Sequence, residues 1–303
     1  MIHDFLLAPI AALLIEPFAL GFMRRALAGC IALSLAGPPL GVLLVLRRMS
    51  LTSEVLQHGV LPGVALGAVF GGWLMGTMTP DGVPLWFMGA GGFLAGLGVV
   101  MLAGVLARAT GGREDSQLAG LYLLALAAGV AIISATRGID LMHLLFGSVL
   151  AVDRPGLLLM AGAASVAVLG LAVVWRPLVV ESFDPDFLRA MGGRGGVWHL
   201  AFMALVVLCV VAGFTALGTL MSVGLMMVPA VAARHWSDRL AGQLRAAVTV
   251  AVLASYGGLL LSFHADVPAG PAIVLVAGAQ WLAGLLLGRH ASLRARLAAS
   301  PTS

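Results

Sequence analysis

The sequence predicts an all-α, polytopic integral membrane protein with eight or nine transmembrane helices. Three observations predict it. Charge is scarce, apolar runs of spanning length recur along the chain, and arginines punctuate the gaps between them. Of the 303 residues, 61% are apolar and only 10% are charged. A soluble domain carries about 25% charged residues, so this chain cannot build a water-facing exterior. Glycine is abundant, at 40 residues. Membrane helix interfaces use such small residues to bring backbones together.

Uncharged runs long enough to cross a ~30 Å hydrocarbon core occur at 26–46, 55–80, 82–107, 116–136, 155–175, 195–233, 246–265 and 267–288. The run 195–233 is too long for one crossing, because as a single helix it would extend roughly 58 Å. It is expected to break between Gly213 and Gly218 and to continue as a short helix containing Pro229. The count is therefore nine crossings, or eight plus a re-entrant piece. Residues 5–15 are too short to span, so 1–21 is expected to form an interfacial N-terminal segment. The N-terminus lacks the basic region of a signal peptide, and Asp4 and Glu16 interrupt it. Insertion is expected to use the first, uncleaved helix.

Arginine placement gives the orientation. With nine crossings, Arg47 and Arg48, Arg108 and Arg113, Arg176 to Arg194, Arg234 to Arg245, and Arg289 to Arg296 fall on one side, the cytoplasmic one. Arg24 and Arg25 oppose the rule, and the 137–154 loop is mixed.

All 17 basic residues are arginine. A P-loop and a kinase fold each need a lysine at the nucleotide phosphates, so any ATP-driven step falls to another polypeptide. The arginines are spread between apolar runs rather than gathered in a patch. They suit anionic lipid headgroups and not nucleic acid. Cys30 and Cys209 lie inside apolar runs, with no CxxC.

Residues 52–76 stand out. Gly59, Gly63, Gly67 and Gly71 recur every four residues and form one smooth ridge, suited to close helix packing. Glu54 and His58, also four apart, lie on the neighbouring ridge. An acid near the centre of a membrane helix costs about 2.5–3.5 kcal/mol. A carboxylate and an imidazole on one face make half a divalent-metal site. Pro62 cannot donate to the carbonyl of His58 and kinks the helix there, which leaves a spare oxygen at the most polar turn. The alternative is structural: Glu54 complements the helix dipole behind a Thr52 or Ser53 cap, and His58 packs.

The segment LRRMSLTSEVLQHGVLPGVALG resembles the signature of the zinc/manganese/iron family of ABC-importer permeases: two arginines, a short linker, an acid and a histidine four apart, then Pro-Gly. FMRRAL, LLFGSVLAV, FDPDFLRAMG, GLMMVPAVAAR and VPAGPAIVL continue the likeness in order along nearly the whole chain. The family has Asp where this chain has Glu54, and Ser where it has Gln57. The resemblance implies a single permease domain, 1–303, of BtuC-like architecture with a cytoplasmic tail at 289–303. It implies a homodimer with a central pathway, an ATP-binding cassette ATPase inside, and a periplasmic or extracellular metal-binding protein outside. Glu54 and His58 would line the path of transiently bound Zn²⁺, or next Mn²⁺, then Fe²⁺, with no permanent cofactor; Gln57, between them in sequence, is a further candidate.

In 183–193, Asp184 suits an N-cap, Pro185 the first helical position and Asp186 the dipole, while Gly192 and Gly193 can end a short helix. Such a helix would lie on the lipid surface or, as the resemblance implies, serve as the coupling helix. There Phe187, Leu188 and Met191 would supply apolar contact to the ATPase. His264 and Asp266 form a solvated loop pair or receive metal from the binding protein, and Asp140 and His143 invite the same reading. His199, His235 and His290 read as interfacial, and Met221, Met226 and Met227 as gap fillers. Three rivals remain: a permease for a metal chelate such as cobalamin or a siderophore, an ion-gradient-driven carrier, and an intramembrane metalloenzyme. The last would need a closed ligand set such as HExxH, which the sequence lacks.

Overall fold

The computed structural model describes residues 14–50, 52–76, 83–111, 114–135, 149–183, 195–290 and 292. Among them the regular elements are helical. A 3₁₀ turn, Glu16–Ala19, precedes α1 (Gly21–Leu46). There follow α2 (Thr52–Gly59), α3 (Leu61–Met75), α4 (Leu85–Thr110), α5 (Glu114–Ala135), α6 (Arg154–Phe183), α7 (Gly195–Leu217), α8 (Thr219–Ala233), α9 (Leu240–Ala265) and α10 (Ala269–Leu287). Eight spans have the length and apolarity to cross a membrane, with α2 and α3 forming one of them.

The ninth apolar piece, α8, rises only about 22 Å, short of a ~30 Å core. It is separated from α7 at Gly218, whose φ of +91° suits glycine. The break thus falls within the 213–218 window. Ser222 Oγ donates to the Val210 carbonyl at 3.0 Å, so α8 doubles back along the end of α7. It then runs beside the second half of α1. Gly37 of α1 faces Met226, and a Cβ at Gly41 would collide with the Met226 carbonyl oxygen. Val42 clusters with Ala230 and Ala233. Among the described residues there are therefore eight spans of crossing length plus a short helix. Because α8 ends beside Val45 and Leu46, the chain still returns to the Arg47 side after it.

Helix α1 is the hub, packed against α6, α8 and α9. A large core joins Leu40, Leu43 and Leu44 of α1 to Leu56 of α2 and to Phe202, Met203 and Val206 of α7. Met221, Met226 and Met227 are buried, in keeping with a filling role. Much of α4 and α5 remains outside, where Leu94, Met101, Leu123 and Leu124 are exposed.

The glycine ridge is used. On α3, a Cβ at Gly63 would strike the Gly91 carbonyl of α4, and one at Gly67 the Phe87 carbonyl. A Cβ at Gly71 would lie 2.6 Å from Val83 Cγ1, whereas Gly59 has an ordinary 3.6 Å separation from Val99. Three of the four glycines thus set the α3–α4 approach, and Gly59 does not.

At the N-terminal end, Arg25 Nε donates to the Val152 carbonyl at 3.1 Å, a local partner for a basic residue that runs against the orientation rule. Phe18 stacks on Tyr256, whose hydroxyl donates to the Leu14 carbonyl. Helix α6 continues eight residues past the apolar run 155–175, through Pro177 to Phe183. Asp184, Pro185, Asp186, Phe187, Leu188, Met191, Gly192 and Gly193 lie outside the described residues, as do Asp140 and His143.

Candidate metal pathway

The turn between α1 and α2 places the site. Arg48 has φ +59°. The Met49 N–H donates to the Leu44 carbonyl at 2.9 Å and the Arg48 N–H to the Val45 carbonyl at 3.1 Å. These two bonds are the Schellman pattern, with arginine in the left-handed position that glycine usually takes. The turn delivers the chain into α2 within a few residues, so Glu54 sits near the Arg47 end of the bundle.

Arg47 anchors that end. Its side chain is 8% exposed and pairs with Glu181 at 3.1 Å. Its Nε donates to Ser182 Oγ at 2.9 Å and its Nη2 to the Leu178 carbonyl at 3.2 Å. Its Nη1 lies 3.4 Å from His199 Nδ1, and its guanidinium carbon stands 4.7 Å from the Phe202 ring centroid. One buried cation thereby ties the end of α1 to the end of α6 and the start of α7.

On α2, Glu54 is exposed, His58 is half-buried and Gln57 is buried. Of the two expected caps, Thr52 is already helical, and Ser53 Oγ donates to the Ser50 carbonyl. Near Pro62 the helix loosens at the single residue Val60, and Thr52–Met75 remains one span. Val60 N–H still bonds Leu56 and Val64 N–H bonds Val60, while Pro62 has no N–H to offer the His58 carbonyl.

Helix α5 closes over this point through two residues one face and two turns apart. Tyr122 lies against His58, with ring centroids 5.5 Å apart and planes tilted by 47°. Gly129 lets α5 approach the kink, since a Cβ there would be 3.0 Å from Pro62 N and from Leu61. Sequence reasoning missed Tyr122. The available signal was its rarity, one of two tyrosines in the chain, and its polar tip inside an apolar run.

Gln57 Nε2 stands 3.3 Å from His58 Nε2, and Gln57 Oε1 has no hydrogen-bond partner. The structure thus brings Glu54, Gln57 and His58 onto one turn. His264 and Asp266 do not join them. They are exposed at the far end of α9, about 36 Å of helix beyond Leu240, which packs near Val45 and Leu46. Among the described residues no three His, Cys, Asp or Glu side chains gather into a metal-holding group. Two candidate ligands on one helix face suit brief coordination. His290 pairs with Asp238, and its N–H donates to the His235 carbonyl. Cys30 and Cys209 are buried and unpaired with each other.

The chain matches the model of the ABC 3 transport family over residues 19–288. It is similar to the manganese transport system membrane protein MntC of Halalkalibacterium halodurans, 30% identical over 258 residues, covering 84% of each chain. The manganese import system permease protein ScaB of Streptococcus parasanguinis is 29% identical over 262 residues, 86% of this chain and 89% of that one. The chelated iron transport system membrane protein YfeD of Yersinia pestis is 28% identical over 266 residues, 88% of this chain and 85% of that one. Among solved structures, PsaBC from Streptococcus pneumoniae in complex with Fab superposes with a TM-score of 0.78 at 26% identity, covering 95% of this chain and 99% of that chain. The chain belongs to the ABC 3 transport family: it is a multi-pass permease subunit of the cytoplasmic membrane, not an enzyme, and ATP hydrolysis falls to a separate subunit.

Proposed function

We propose that this permease imports a divalent transition metal, with Mn²⁺ as the cargo and the Glu54–His58 turn as its passing point. The observation that carries the reading is the placement of a carboxylate and an imidazole one turn apart, on α2, just before Pro62, which has no N–H to offer the His58 carbonyl. Residue types alone favour Zn²⁺, because imidazole suits it. Two considerations reverse that order. Relatives of this chain bear manganese-transport names, and the donors at the turn are mostly oxygen, which suits Mn²⁺. Zn²⁺ is the second reading, carried by His58. A chelate would have no use for an acid–histidine pair, and membership of an ABC family removes the gradient-driven carrier.

Two copies of the chain would enclose the pathway, a metal-binding protein would deliver the ion from outside, and an ATPase would dock on 183–193. The test is uptake of radioactive Mn²⁺ by the assembled importer, with unlabelled Zn²⁺ as competitor. Transport of Mn²⁺ that equimolar Zn²⁺ depresses only weakly supports the assignment. Transport of Zn²⁺ with no Mn²⁺ uptake overturns it. Separately, Phe187→Asp is expected to lower ATP-driven uptake more than tenfold, on the order of the loss of one central interface anchor. Full transport with the ATPase retained on a pull-down would count against docking there.

A further inference from the structure

Gln57 is 7% exposed, and its Oε1 has no partner. A buried acceptor left unpaired is costly, and its presence in a native structure calls for a reason. The other end of the same amide stands 3.3 Å from His58 Nε2. The two ends of an amide have the same shape, and a half-turn about the last bond exchanges them. After that half-turn, Oε1 occupies the position 3.3 Å from Nε2. Two donors spaced 3.3 Å apart, each bonded at about 2.1 Å to one ion, subtend an angle of about 104°. That lies between the octahedral and tetrahedral angles. Glu54, Gln57 and His58 fall at i, i+3 and i+4, which share a helix face.

The pair Glu54 and His58 also lacks a third ligand, since no third His, Cys, Asp or Glu gathers with them among the described residues. We propose that Gln57 Oε1 is a third ligand of the transported ion, beside Glu54 and His58, and that this added hard oxygen favours Mn²⁺ over Zn²⁺. The inference rests on the reading of that pair as the passing point. Without the ion, the amide nitrogen holds the His58 lone pair. As the ion arrives, the amide turns and the oxygen replaces it. Carbonyl oxygen suits Mn²⁺, whereas imidazole suits Zn²⁺ and softer donors lean further from Mn²⁺. Serine, the residue of the resembling family at this position, has a shorter reach, so the amide contact belongs to this chain's glutamine.

The test uses the whole importer in proteoliposomes with Mn²⁺ and Zn²⁺ supplied separately. Gln57→Met keeps the length and volume of the side chain and exchanges the hard oxygen for a soft thioether. The ratio of Mn²⁺ to Zn²⁺ uptake is expected to fall about tenfold, in line with losing one metal-orienting group. Gln57→Glu restores an oxygen and is expected to keep the wild-type preference for Mn²⁺. An unchanged ratio in Gln57→Met overturns the proposal, as does equal loss of both metals, which is what a packing role would give. If Gln57→Met fails to assemble, Gln57→Leu, which also removes the oxygen at similar volume, carries the same comparison with the same expected fall. Glu54→Ala run alongside separates the two readings. If it abolishes uptake while the Gln57 variants keep the ratio, only the third ligand falls. If it transports normally, the passing point falls as well.

Discussion

Alanine at Glu54 or at His58 is expected to cut metal uptake to below about a tenth of wild type, while the importer still assembles. Loss of a group that orients or binds a metal costs about 10–100-fold in affinity or activity, and this turn has few donors to replace it. The fold should tolerate both changes. Glu54 is exposed, so it holds nothing in the core. His58 is half-buried, and its ring contact with Tyr122 is an aromatic pair worth about 0.5–1.5 kcal/mol. Glu54→Gln keeps the shape and removes the charge, and it is expected to fail nearly as badly. Glu54→Asp, the acid of the resembling family, is expected to retain uptake. The measurement is initial-rate metal uptake, with size-exclusion of the solubilised complex as the check on assembly. Wild-type rates in both alanine variants would remove the site assignment.

Arg47→Met is expected to destabilise the permease by about 3–5 kcal/mol, because removing one partner of a buried pair leaves the other charge uncompensated. That orphan is Glu181, 13% exposed and otherwise held by the Arg47 guanidinium. The loss also strips hydrogen bonds from Ser182 and the Leu178 carbonyl. Three helix ends would then separate more easily: the end of α1, the end of α6 and the start of α7. Arg47→Lys keeps the charge but loses the planar fork, so an intermediate loss is expected. The double change Arg47→Met with Glu181→Met is expected to recover much of the deficit, since replacing both buried charges by apolar groups is often neutral. The readout is the thermal midpoint of the detergent-solubilised protein. A midpoint for Arg47→Met equal to wild type would show that the pair contributes nothing.

Much of this was readable along the chain, for a physical reason. Spanning length and hydropathy are local properties, so the apolar runs marked the helices. The break in 195–233 followed from length alone, and the structure puts it at Gly218 because only a residue without a Cβ takes that φ easily. The period-four glycines predicted a close helix approach, and α4 supplies it at Gly63, Gly67 and Gly71. The acid–histidine spacing and Pro62 predicted a polar, loosened turn, and the helix loses its regularity at the single residue Val60 there. Thr52, one of the two expected caps, lies within α2 itself.

By itself the sequence determined the membrane class, the helix segments, the missing lysine and the spacing of Glu54, Gln57 and His58. The tertiary structure alone decided which of those segments touch. In a membrane, lipid-facing and core-facing positions are equally apolar, so hydropathy does not tell Leu123, exposed on α5, from Leu56, buried on α2. For that reason the contact of Tyr122 with His58, the pairing of Glu181 with Arg47 and the unpaired oxygen of Gln57 could not be placed from the linear order. Each depends on a helix packing across a distance in sequence that only the closed bundle brings to contact.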